Sequence, residues 1–168
     1  MNRHGINPTP GCPLFSEFVT DFPALAQVDL PSPHTILFVA ADARDIPADT
    51  IASVAERFLA LGLTCVCVWG PDCERVHDLF DEVHVGDGST EPTFTFMSTW
   101  HSDEPMEEAL WYFLQCAFPL DSEIETTSYL AITVGRADWA ATVEHALSNL
   151  PAFKTRMLHD DLELTGDA

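Results

Sequence analysis

The stretch that decides the fold is TILFVAA, Thr35 to Ala41, an unbroken run of β-branched, aromatic and small apolar residues after Thr35. A strand of this kind is buried on both faces, as strands are in parallel sheets covered by helices. Downstream the theme recurs. Asp45 is placed to cap a helix in which Ile51, Val54, Ala55 and Phe58 fall at helical spacing before Gly62 ends it. Leu63 to Trp69 is a second strand, and Gly70-Pro71-Asp72 turns the chain into a short helix lined by Val76, Leu79 and Phe80 and running to about Asp81. Val83 to Val85 reads as a brief edge strand closed by Gly86-Asp87-Gly88. Thr93 to Trp100 (TFTFMSTW) alternates polar and aromatic residues as another strand, and Met106, Leu110, Phe113 and Ala117 mark a helix over Pro105 to Ala117. Tyr129 to Val134 is the last strand and Trp139 to Leu150 the last helix.

Every connection between these strands is long enough to cross over, so the expectation is an α/β three-layer sandwich with a mostly parallel five-stranded sheet. The natural order is 3-2-1-4-5, Rossmann- or flavodoxin-like. Residues 1–34 form a Pro-rich arm (Pro8, Pro10, Pro13, Pro23, Pro31, Pro33). Its segment Leu14 to Val28, with Phe15, Phe18, Phe22 and Leu25, is expected to dock on the body as a short helix, leaving only the first ten residues free. The α/β domain spans 35–150. The extension over 151–168 is expected to add a strand or a helix through Phe153, Met157 and Leu158, with a polar end from Asp160 that frays.

Composition narrows the partners. Acidic residues outnumber Lys plus Arg by 27 to 7, a net charge of −20. Such a field repels nucleic-acid backbones and anionic membranes, so neither is expected as a partner. The longest apolar stretch, Leu59 to Trp69, is too short to span a bilayer. Five cysteines, an odd number set mostly in apolar segments, favour reduced thiols and a cytoplasmic setting.

In parallel sheets, ligands bind outside the carboxyl ends of the strands where strand order reverses. With the expected order that point lies between the strands ending at Ala41 and Trp100. It gathers Asp42 and Arg44 from one tip, His101, Ser102, Asp103 and Glu104 from the other, and Arg136 and Asp138 from a neighbour. A histidine among carboxylates suits proton transfer or a divalent metal, and Arg44 or Arg136 suits an anionic substrate group. Acids at these places are equally explained as helix-start residues. Cys73, in the first turn of a helix with His77 one turn on, is a second candidate pair, as a nucleophile with its base or half a zinc site. Cys65 and Cys67 share one face of a strand and read as small core residues. No GxGxxG follows the first strand, and neither GxxxxGK[ST] nor GxSxG occurs, which excludes the usual dinucleotide, P-loop and α/β-hydrolase signatures. On the helix from Pro105, Trp111, Tyr112 and Phe118 lie off the core stripe; either the N-terminal arm covers them or they form an interface with another chain.

The runs Trp69-Gly70-Pro71-Asp72-Cys73-Glu74-Arg75-Val76-His77-Asp78 and Trp100-His101-Ser102-Asp103-Glu104-Pro105-Met106-Glu107-Glu108-Ala109-Leu110-Trp111 resemble an uncharacterised bacterial domain family of unknown function, over most of residues 35–150. That resemblance implies no activity. A fainter likeness is to TIR domains, in which Trp100 and Glu104 would take the places of a tryptophan and a glutamate important for NAD cleavage. Pro105 after the glutamate departs from that pattern, as does the lack of a counterpart to the family's loop after its first helix.

The expected function is therefore a non-catalytic module that binds a protein partner or self-associates. The alternative is an enzyme, a hydrolase or nucleotide-processing protein, using Asp42, His101, Asp103 and Glu104. No cofactor is required by the sequence, although a divalent metal would suit the alternative.

Overall fold

The computed structural model describes residues 1–7, 11–89, 94–119 and 123–165, the side chains of 160–165 excepted. Its described residues form six strands, β1 (Asn2–Asn7), β2 (Cys12–Val19), β3 (Thr35–Ala40), β4 (Leu63–Trp69), β5 (Met97–His101) and β6 (Ser128–Val134). The helices are α1 (Ala48–Ala60), α2 (Cys73–Val85), α3 (Met106–Gln115), α4 (Ala137–Ser148) and α5 (Leu150–Thr165), with a 3-10 turn at Pro23–Gln27. One sheet runs in the order β1-β2-β6-β3-β4-β5, and every neighbouring pair is parallel except β1 with β2.

The α/β class and largely parallel sheet agree with the sequence expectation, but the five strands and the order 3-2-1-4-5 do not. Three local patterns explain the difference. Val83 to Val85 belongs to α2, because Val83 continues the i, i+4, i+7 stripe of Val76 and Phe80 against the core. Cys12 to Val19 is strand rather than helix: it pairs with β6 from Leu14↔Tyr129 to Val19↔Val134, with Leu14 and Phe15 turned to opposite faces. The first residues are not free, since β1 pairs with β2 and Asn7 donates through Nδ2 to the Leu114 carbonyl at 2.9 Å.

Side chains alternate across the sheet with period two. Leu37, Val39, Val66, Val68, Leu130 and Ile132 face α1, α2 and the 3-10 turn. Ile36, Phe38, Ala40, Cys65, Cys67, Tyr129 and Ala131 face the side covered by α3, α4 and α5. There Phe113 lies 5.6 Å from Phe38 and 5.3 Å from Tyr129, ring centre to ring centre. Burying each such ring stabilises the fold by about 1.5–3 kcal/mol. The C-terminal extension is helical to Thr165, past the point where fraying is expected, and buries Phe153 and Met157. Residues 166–168 lie outside the described residues.

The loop carrying Asp42 and Arg44 is held from below. Ala41 N–H donates to the Trp69 carbonyl (3.0 Å) and Ala43 N–H to the Pro71 carbonyl (2.9 Å), so the β3 and β4 tips stay zipped beyond the sheet. Arg75 of α2 donates to the Ala43 and Ile46 carbonyls and pairs with Asp72. The α1 N-cap is Pro47, and Asp45 does not cap it. At Gly70 (φ +116°) a Cβ would stand 2.4 Å from the Ala41 carbonyl oxygen. Gly70→Ala therefore combines left-handed strain with a backbone clash and is expected to cost about 3 kcal/mol in urea unfolding. A loss below about 0.5 kcal/mol would show that the β3–β4 contact is dispensable.

Candidate functional site

Because β6 lies between β2 and β3, strand order reverses between β3 and β6, not between β3 and β5. The expected cluster is therefore split in two. At the reversal, Arg44 Nε donates to Asp42 Oδ1 and Arg136 Nε to Asp138 Oδ1, both at 2.9 Å, and each guanidinium makes a second bond to the same carboxylate. The Arg44 hydrogen bond holds the Asp42 carboxyl below its ordinary range, with Arg136 adding to the effect. Arg136 also lies 4.6 Å over the Trp139 ring. Both forks that would bind an anionic substrate are thus occupied by acids two residues along the chain.

The other half stands at the sheet edge. His101 ends β5, two strands from β3 across β4, about 10 Å at ~4.8 Å per strand. Trp69 fills the space between: its indole N–H donates to the Glu104 carbonyl (2.9 Å) while its ring meets Trp139 edge-on at 5.0 Å. His101 Nδ1 bonds Glu104 Oε1, its Nε2 lies 3.1 Å from the Thr99 hydroxyl, and its ring packs 4.9 Å from Tyr112. Asp103 is exposed.

Beneath His101 lies a group that the sequence reading assigned to the core alone. Cys67, buried on β4, is the register partner of Thr99 and shares its face with His101. Burial pushes this thiol up, but hydrogen bonds from Cys65, His101 and Thr99 outweigh it and bring it down to about 6. For His101, burial pulls the pKa down, and Cys67 and then Glu104 push it up by more, so the ring titrates above its ordinary 6.5. Together these groups form a carboxylate–imidazole–thiol chain that runs from the half-buried Glu104 to the buried Cys67. Only the β4–β5 register brings Cys67 to His101, and no sequence spacing gave that register.

The pair Cys73 and His77 does not form. Cys73 is buried, and burial raises its thiol rather than the helix start lowering it. His77 turns instead to Trp100 of β5 (4.5 Å, edge-on), Asp78 (3.1 Å) and Asp81 (3.6 Å). Among the described residues no group of three or more His, Cys, Asp or Glu could hold a metal ion. Of the α3 aromatics, Trp111 is half-buried and lies 6.4 Å edge-on to Phe153 of α5, which packs against it. Tyr112 packs on His101, and Phe118 is 57% exposed. A second polar cluster also went unseen: Ser16 of β2 lies 2.7 Å from His4 Nε2 and donates to Glu144 Oε2 at 2.8 Å. It stands beside a 380 Å³ cavity between β2 and α4, lined by Ser16, Phe18, Thr133, Ala137 and Glu144. Finding it requires β1 and β2 to be read as strands.

The fold and these clusters define an α/β domain with helices on both faces of its sheet. The sequence pattern of the family described as a domain of unknown function (DUF7684) matches residues 18–150, and the chain belongs to that family. No curated protein and no solved structure matches the chain.

A raised His101 pKa means that folding favours its protonated form. Its contribution is complete below the ordinary 6.5 and is lost as pH rises through the folded value. In NMR titration of the folded protein the His101 ring should titrate with a midpoint above 6.5, and Glu104→Gln should bring it down; a midpoint below 6.5 would reverse the assignment.

Proposed function

We propose that this domain is a non-catalytic binding module whose partner is a basic protein. The observation that carries the reading is the way its cations are spent. Arg44, Arg57, Arg75, Arg136 and Arg156 are paired with Asp42, Asp29, Asp72, Asp138 and Glu107, so five of the 7 cations are engaged by single acids while the chain holds 27 acids and a net charge of −20. A surface of that kind attracts basic chains over roughly a Debye length and repels a second copy of itself. It also disfavours the substrate-binding role for Arg44 and Arg136, since an anion would have to displace a bidentate carboxylate.

The test is thermal unfolding at fixed protein concentration and low salt, with lysine-rich peptides, glutamate-rich peptides, nucleotides and divalent metals. Saturating lysine-rich peptide should raise the midpoint by about 5 °C, and about 0.5 M salt should erase the rise. A rise with a nucleotide or a metal that disappears in Arg136→Ala or His101→Ala would overturn the reading.

One observation favours a second reading as an enzyme. Glu104, His101 and Cys67 stand in the order carboxylate, imidazole, thiol found around activated cysteine nucleophiles. Against it, Cys67 is fully buried, whereas reactive thiols are partly exposed. With iodoacetamide at neutral pH, exposed Cys116 should be alkylated first and Cys67 only on unfolding. Fast labelling of native Cys67, lost in His101→Ala, would promote the enzyme reading.

A further inference from the structure

We infer that the outer edge of β5 is the docking line of this module, and that its occupant is an extended basic segment of the partner, added to the sheet as a further strand. This rests on the basic-partner reading and places that partner on the fold.

The two edges of the sheet are built differently. β1 carries the charged Arg3 and the left-handed Gly5, and its pairing with β2 shifts register between Arg3 and Ile6. Such irregularity and charge are how proteins keep an edge from recruiting another strand. β5, Met97-Ser98-Thr99-Trp100-His101, has neither: its register with β4 is unbroken through all five pairs, and it contains no Lys, Arg or Pro. Among the described residues no strand lies on its outer side. Its unpaired backbone groups are therefore a template for strand addition.

At the centre of that edge region Trp100 is 46% exposed, although it is the largest side chain of the strand. It rests on His77, which holds the ring in place from α2. His77 in turn meets two acids of α2, Asp78 and Asp81, whose side chains are 70% and 47% exposed, and exposed Asp103 follows two residues after the strand. An apolar anchor within an acidic rim fits a strand whose alternate side chains are basic and apolar. The same rim, on a chain of net charge −20, opposes a second copy pairing edge to edge.

The experiment titrates the full chain at low salt with a blocked peptide of alternating lysine and valine, with its glutamate–valine counterpart, and with the lysine–valine peptide N-methylated at alternate residues. The first should bind and the second should not. N-methylation keeps the charge but removes ladder donors, and should weaken binding at least about tenfold on the unaltered protein. Trp100→Ala should weaken the parent peptide about tenfold, with far-UV circular dichroism confirming the fold. Equal binding of the parent and N-methylated peptides, unaffected by Trp100→Ala, overturns the β5 line while leaving the basic-partner reading intact. No binding of either lysine–valine peptide at low salt overturns both. A dimer in sedimentation that Trp100→Ala dissolves overturns the proposal in favour of a second copy.

Discussion

The structure depends on one burial. All seven residues of β6, Ser128–Val134, are removed from solvent, and a strand with no tolerance for water on either face must lie between two others. That requirement seats β6 between β2 and β3 and so draws the N-terminal segment into the sheet as β2. It also leaves β5, most of whose residues are only partly covered, at the edge. The position of strand reversal, the split of the candidate cluster and the exposure of Trp100 all follow from that placement.

Between the two halves of the carboxyl-end surface stands Trp69. Its indole holds the turn leading into α3 through the Glu104 carbonyl and packs on Trp139 of α4, so it anchors both neighbours while keeping them apart. On one side, two arginines are neutralised by their own aspartates; on the other, His101 is enclosed by Glu104, Thr99, Cys67 and Tyr112. Neither half offers an unoccupied charged fork at the surface. A buried imidazole and thiol are a costly pair unless each is supported, here with the half-buried Glu104 carboxylate on the outer side. Together the three tie β4 and β5 to the start of α3, beside the edge where a partner strand would add.

Much of the fold was legible in the sequence because burial writes itself as pattern. TILFVAA, uninterrupted and apolar, read correctly as an interior strand, YLAITV read correctly as a strand though the expected order set it at an edge, and the i, i+3, i+4 recurrence of Ile51, Val54, Ala55 and Phe58 marked α1. The expected order set YLAITV at an edge and TFTFMSTW inside, the reverse of the structure, although a wholly apolar run suits the interior and the alternating MSTWH an edge. Short elements were ambiguous. Val83 to Val85 has the composition of a strand but the phase of the helix before it, and the prolines around Leu14 and Phe15 obscured an alternation that pairing with β6 stabilises. The candidate site was legible as a set of residue types but not as a constellation. Proximity of Cys67 to His101, or of His4 to Glu144, depends on register and topology, which local periodicity does not encode.

The charge of −20 acquires meaning only with the fold in view. Taken from composition alone it is a solubility device, because scattered acids keep any small domain dispersed. The ion pairs add to that reading: five arginines are each paired with an acid of the same chain, three of them, Arg44, Arg75 and Arg136, at turns on the carboxyl end of the sheet. Positive charge is therefore used mostly in local pairs, against a net charge of −20 for the chain. A net negative field acts at a distance, steering oppositely charged chains before any contact forms, but it has no power to select among them. Selection requires a feature of fixed geometry within the field. The regular, unguarded edge of β5 with Trp100 on His77 is such a feature, whereas β1 at the opposite edge is irregular and carries a positive charge. Attraction and geometry coincide on one side of the sheet, which gives the acidic surface a direction.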